Sequence, residues 1–254
     1  MATVIAVANQ KGGVGKTTTT VNLAAALAVA GQRVLVVDLD PQANAGLCFG
    51  LDVEDLPRGT IYDVLMGAER ALASIIVSTE DGVDLAPSNI DLAGAEVQLV
   101  SRMAREVALS KKLESQRLAY DIILIDCPPS LGLLTVNALV AADEVLVPVE
   151  ARYLAYRGTQ QLLATVATVK EELNRRLQIR GLLLTRFDGR TVHAGEVAAM
   201  LRQKYGARLL DVTIKERVEL ADAGLAGKSI FRHAPTSPSA AADRELAERV
   251  LARA

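Results

Sequence analysis

Nine residues near the amino terminus constrain the fold more than any other stretch. Gln10-Lys11-Gly12-Gly13-Val14-Gly15-Lys16-Thr17-Thr18 lies between an apolar β-rich run, TVIAVA (3–8), and an alanine- and threonine-rich stretch with helical spacing at about 17–30. Glycines let the backbone turn tightly and aim successive N–H groups at phosphate oxygens, and the N-terminus of the following helix adds partial positive charge. Lys16 is placed to neutralise β- and γ-phosphate charge, and the Thr17 hydroxyl to take a Mg²⁺ coordination position. Gly12, Gly13, Val14, Gly15 and Thr18 complete the cradle. Strand, glycine-rich turn and helix in that order specify a nucleotide phosphate site. They place it at the edge of a parallel sheet.

The rest of the chain repeats the strand–helix alternation. Further β-rich runs are RVLVVD (33–38), GVDLAP (82–87), DIILID (121–126), EVLVPVE (144–150), RGLLLTR (180–186) and LLDVTI (209–214). Most are apolar on both faces, as strands buried inside a parallel sheet must be. Helical stretches are predicted at 89–118, 131–141, 154–177, 191–205 and 239–253, and 50–80 reads as a short helical excursion beside the site. The alternation specifies α/β architecture: a doubly wound, mostly parallel sheet with helices on both faces. No linker rich in Pro, Gly or Ser divides the 254 residues, so 1–254 is read as one domain. Its nucleotide site falls mainly within 8–45 and 120–132.

Composition excludes several other classes. Three Phe, five Tyr and no Trp make a poor stacking platform for single-stranded nucleic acid. Two cysteines cannot build a disulfide framework, and no apolar run reaches the roughly 18 residues of a membrane span. No basic leader precedes the first strand, so a cytoplasmic protein is expected. The net charge of -2 conceals an asymmetry: residues 1–151 hold 10 Lys+Arg against 19 Asp+Glu, and residues 152–254 hold 18 against 11. A basic carboxyl-terminal part, centred on 180–235, is suited to an anionic partner.

Three acids end predicted strands. Asp38 and Asp40 close the second, and Asp126 closes DIILID, all at the carboxyl edge where open α/β sheets place ligands. Such carboxylates can hold Mg²⁺ directly or through its waters. The loop also departs from the ordinary G-x-x-x-x-G-K-[ST] form. Gln10 occupies the first glycine position, and a second lysine, Lys11, stands five residues before Lys16. A lysine there cannot easily fold onto the γ-phosphate its own loop encloses. It can reach one bound by a facing subunit, as an arginine finger does.

KGGVGKTT resembles the deviant Walker A loop of the ParA/MinD superfamily of dimerising ATPases. VVDLDPQAN (36–44) and YDIILIDCPPSLG (120–132) resemble two further motifs of its ParA/Soj partition branch, and the likeness extends through LLLTRFDGRT (182–191). The resemblance implies a deviant P-loop NTPase with ATP and Mg²⁺ as ligands, an ATP sandwich dimer, and slow hydrolysis stimulated by a ParB-like partner. It implies Lys11, Lys16 and Asp40 as catalytic, Asp40 positioning or deprotonating the attacking water. Thr17, Asp38 and Asp126 would serve the metal, Asp126 through water. It further implies non-specific binding of duplex DNA by a nucleoid-associated protein that segregates chromosome or plasmid DNA. Arg190 matches a DNA-binding arginine of the family's D-G-R-T motif. A second family arginine, in I-P-R-N-V-R-L, is replaced here by Glu219, and the basic groups stand instead at Lys215 and Arg217. The alternatives are a MinD-like, membrane-switched ATPase or one that positions a protein cargo. The tail, ADRELAERVLARA (242–254), has Leu246, Val250 and Leu251 amid mixed charge. It reads as a helix docked on the core rather than a membrane anchor, so no membrane partner is expected.

Overall fold

The computed structural model describes residues 1–152, 155–189 and 191–252. Its strands are β1 (Thr3–Val7), β2 (Val34–Asp38), β3 (Val77–Ser78), β4 (Asp84–Ala86), β5 (Ile122–Asp126), β6 (Glu144–Glu150), β7 (Gln178–Phe187) and β8 (Leu209–Lys215). They form one sheet in the order β3-β4-β2-β5-β1-β6-β7-β8. Every pairing is parallel except β3 with β4 at the edge. The helices are α1 (Lys16–Val29), α2 (Asn44–Cys48), α3 (Ile61–Met66), α4 (Leu92–Val100), α5 (Ala108–Leu113) and α6 (Leu133–Ala141). After them come α7 (Ala155–Glu172), α8 (Val192–Tyr205), α9 (Val218–Leu225), α10 (Ile230–His233) and α11 (Pro238–Leu251).

The period of two along each strand divides the core between the sheet's faces. Val4, Ala6, Leu35, Val37, Ile123 and Ile125 join one buried cluster with residues of α3 to α8. Ile5, Val34, Val36, Ile122 and Leu124 join the other, with residues of α1, α2 and α11. β2 and β5 are buried at every position, which is why they read as unbroken apolar runs. Each such fully buried aliphatic side chain contributes about 1.5–3 kcal/mol.

The last helix docks as expected. Leu246 and Val250 are buried against α1 and β8, and Leu251 is half-buried. Ser237 accepts a hydrogen bond from Ala240 N–H at its start, with Pro238 in the first turn. At its end the Arg180 guanidinium, itself nearly buried, donates to the carbonyls of Arg249 and Val250 and pairs with Glu144 at 2.7 Å. No described helix is long and apolar enough to cross a membrane.

Elsewhere the chain departs from its local pattern. The helix predicted over 89–118 is broken into α4, α5 and short 3-10 turns, with Ala104 at φ 54. Tertiary hydrogen bonds outweigh helical spacing here: Arg102 donates to the carbonyls of Leu65 and Met66, and Lys112 to those of Gly67, Ala68 and Arg70. The segment thus wraps α3 rather than running straight. The predicted helical excursion at 50–80 contains α3 and also the two-residue edge strand β3. Sequence pattern also missed α2, α9 and α10.

Candidate nucleotide site

A cavity of about 520 Å³ opens at the carboxyl edge of the sheet. Its floor is the nine-residue loop, where β1 gives way to α1. Gly13 and Gly15 have φ of 72 and 86, which a side chain would strain, and Gly15 is the N-cap of α1. The loop is fixed from outside by the tip of β7. The buried Thr185 hydroxyl donates to Val14 O at 2.7 Å, and the Arg186 guanidinium to Gly13 O at 2.9 Å. Arg186 itself has φ 49, a strained backbone for an arginine, and its other arm meets Glu216 at 2.6 Å.

Lys16 is buried, and its ammonium donates to the carbonyl of Lys11 at 3.2 Å. Burial lowers its pKa, opposed by the charges of Asp126, Cys127 and Asp40. Lys16, Thr17, Thr18, Gly12, Gly13 and Gly15 all line the cavity, whereas Val14 turns its side chain into the core. Asp40 lines it too, and its Oδ1 accepts from Gln42 N–H at 3.0 Å.

Asp38 and Asp126 stand side by side in register on β2 and β5, and neither is accessible to solvent. Asp38 accepts from the N–H groups of Asp40 and, at the start of α2, Ala45. Burial, and then the neighbouring Asp126, hold its carboxyl well above the usual range. Burial pushes Asp126 up to about 6 against the pull of the Thr17 hydroxyl, the Lys16 ammonium and the Thr20 hydroxyl. Thr20 donates to Asp126 Oδ1 at 3.1 Å, and Asp126 Oδ2 is buried without a hydrogen-bond partner among the described residues. Two adjoining buried carboxylates with an orphaned oxygen, beside Thr17, form an all-oxygen donor set that fits a hard cation such as Mg²⁺. They do not form a ready-made cage. No described group of three or more His, Cys, Asp or Glu side chains is arranged to hold a metal alone. The remaining ligands would have to be waters or phosphate oxygens.

Lys11, expected to act on a facing subunit's phosphate, is held within its own chain. Its Nζ lies 2.6 Å from Oε2 of Glu150, the last residue of β6. Sequence reasoning missed Glu150, although an acid closing an apolar parallel strand is the same signal that marks Asp38 and Asp126. Thr20 as a partner of Asp126, and Thr185 and Arg186 as partners of the loop, were also missed. Their contacts join residues 106 to 173 positions apart, and no local pattern announces them.

The basic candidates are divided. Lys215 and Arg217 line the far wall of the same cavity, with Glu216 between them. Arg190 lies outside the described residues. Glu219, where the family pattern has arginine, accepts from the Ser239 hydroxyl at 2.9 Å and so ties α9 to the start of α11.

Residues 2–179 match a family model described as AAA domain. Over 252 residues the chain is 44% identical to the sporulation initiation inhibitor protein Soj of Bacillus subtilis, covering 99% of each chain. Over 249 residues it is 49% identical to the chromosome-partitioning ATPase Soj of Thermus thermophilus, covering 98% of this chain and 95% of the other. A solved structure described as cobyrinic acid a,c-diamide synthase from Mycobacterium smegmatis, with bound ADP and magnesium, is similar at TM-score 0.87. It is 40% identical and covers 99% of this chain and 94% of that one. The loop, the two acidic strand ends and likeness along the full chain agree: this protein belongs to the ParA/Soj family of partition ATPases.

Proposed function

We propose that the chain is an ATP-hydrolysing switch for segregating chromosome or plasmid DNA. In this reading it binds ATP with Mg²⁺, pairs with a second copy across the two nucleotides, and holds duplex DNA through phosphates without reading sequence. It lets go after hydrolysis stimulated by a ParB-like partner. The observation that carries the reading is the clamped loop beside paired buried carboxylates, since phosphoryl transfer depends on positioning and charge neutralisation. The ADP and magnesium bound by the M. smegmatis protein, and the name of the Thermus relative, support it.

The loop N–H groups and Lys16 hold the β- and γ-phosphates. Asp40, on the cavity wall, positions or deprotonates the attacking water. Bound Mg²⁺ supplies neutralisation of phosphate charge, and Thr17, Asp38 and, through water, Asp126 would hold it. Lys11 adds charge from a facing subunit, so hydrolysis waits for the dimer. Lys215 and Arg217, with Arg190, meet the DNA backbone, and the protein works in the cytoplasm on the nucleoid. The docking of α11 favours this over a MinD-like membrane switch, because Leu246 and Val250 are spent on the core.

The test is retention of the full chain on duplex DNA of unrelated sequences. Retention should require ATP, be lost with ADP, and fall steeply with salt. Absence of ATP-dependent retention at low salt would overturn the DNA reading. The name of the M. smegmatis protein denotes an amide-forming activity, which would couple ATP turnover to an acid and an amine donor. Turnover with neither present, accelerated by DNA and a ParB-like protein, separates the two.

A further inference from the structure

Glu150 closes β6 beside the loop, and its carboxylate is 4% exposed. It is held by two cations of unequal freedom. Oε2 accepts from Lys11 Nζ at 2.6 Å, and Oε1 from Arg152 Nε at 2.8 Å. The main chain of Lys11 is anchored separately. Its N–H donates to Asn9 Oδ1 at 3.1 Å, while Asn9 Nδ2 donates to Pro148 O at 2.6 Å, so β6 holds the loop backbone whatever the lysine does. The Lys11 side chain is 36% exposed and can swing away without moving that backbone.

We propose that Glu150 is a positioning residue that latches Lys11 within its own chain, and that the latch opens when the phosphates of a nucleotide in a facing copy compete for the ammonium. The proposal rests on the reading that Lys11 acts across a dimer, and it names what holds that lysine beforehand. A triphosphate carries several negative charges where Glu150 carries one, so the exchange favours the phosphates once a second copy brings them near. Arg152 makes the exchange inexpensive. A buried carboxylate stripped of its only cation is strongly destabilising, whereas Glu150 keeps Arg152 when Lys11 departs. Dimerisation thus carries a threshold set inside each chain, since releasing Lys11 from Glu150 opposes pairing by the strength of the latch.

The experiment measures the dimerisation midpoint of the full chain against protein concentration, by sedimentation with a non-hydrolysable ATP analogue and Mg²⁺. Glu150→Gln weakens the latch and should lower the midpoint about tenfold, equivalent to about 1.4 kcal/mol. Arg152→Ala leaves Lys11 as the carboxylate's sole partner, and should raise the midpoint. Damage to the fold would move both variants in one direction, so the opposite signs identify the latch. In a Lys11→Ala background, Glu150→Gln should change nothing. An unchanged or raised midpoint for Glu150→Gln, with Lys11→Ala monomeric, overturns the latch and leaves the trans-acting lysine standing. Normal dimers from Lys11→Ala overturn the reading beneath it.

Discussion

At one end of the cavity the phosphate loop and the tips of β2 and β5 gather main-chain groups and buried carboxylates. At the other, the tip of β8 and the start of α9 present Lys215, Glu216 and Arg217. The first end is fixed by backbone conformation and burial, and each of its acids has nearby N–H or hydroxyl donors to hold it. The second rests on side chains nearer solvent, where ion pairs are screened by salt and individually contribute little. The first end is therefore suited to chemistry needing sub-ångström placement, and under the proposed function the second is the end suited to reversible contact with a polyanion. The two share one cavity, so the acidic and basic halves of the sequence are neighbours rather than separate provinces.

The sharpest way to break that contrast is at Lys16. Lys16→Ala should reduce ATP affinity and turnover at least about a hundredfold while the fold persists, measured by nucleotide titration and phosphate release. Next comes Asp243, a buried acid in the basic half. Unlike Asp38 it has no partner for either oxygen among the described residues, and burial pushes its pKa up to about 8. With an unfolded value of about 3.9, folding binds a proton, so the wild-type protein should lose stability as pH rises from about 4 to 8. Asp243→Asn should flatten that fall and raise the melting temperature at pH 9 by about 3 °C or more, read by calorimetry. A smaller effect is expected at the far wall. Lys215→Ala with Arg217→Ala should weaken DNA retention about tenfold and reduce the salt slope by about 2, with ATP affinity unchanged. Loss of ATP affinity instead would assign that wall to the nucleotide. Smallest of all, Arg202→Ala removes an exposed pair with Asp211 and should leave the denaturant midpoint unchanged in a titration at physiological salt.

The central strands were legible because burial on both faces leaves an unbroken apolar run, as in Ile122–Asp126. β3 was not, because two residues pairing with β4 make no periodic signal. α9 and α10 were hidden by Gly224, Gly227 and intervening charges. There the backbones of Gly50 and Gly227 approach so closely that a Cβ on Gly50 would lie 2.8 Å from Gly227 O. The site divides along the same line. Gln10 to Thr18, Asp38, Asp40 and Asp126 announce themselves by type and by place at strand ends. Glu150 carries the same mark, yet its partner Lys11 lies 139 residues earlier, a distance no spacing rule bridges. Glu219 shows the reverse: a departure from the family pattern was visible at once, but its use, holding Ser239, required the fold.

The tip of β7 has a consequence for what a nine-residue motif is worth. A trans peptide carries its C=O and N–H on opposite sides. By engaging the carbonyls of Gly13 and Val14, Arg186 and Thr185 oblige the N–H groups of Val14 and Gly15 to face the other way. Glycine supplies the freedom to turn either way, and β7 decides between them. The electrical sign of the loop's inner surface is thus written some 170 residues downstream of the loop itself. Transplanted without that strand, the same nine residues could rotate those peptide planes and present oxygens where an anion needs hydrogens.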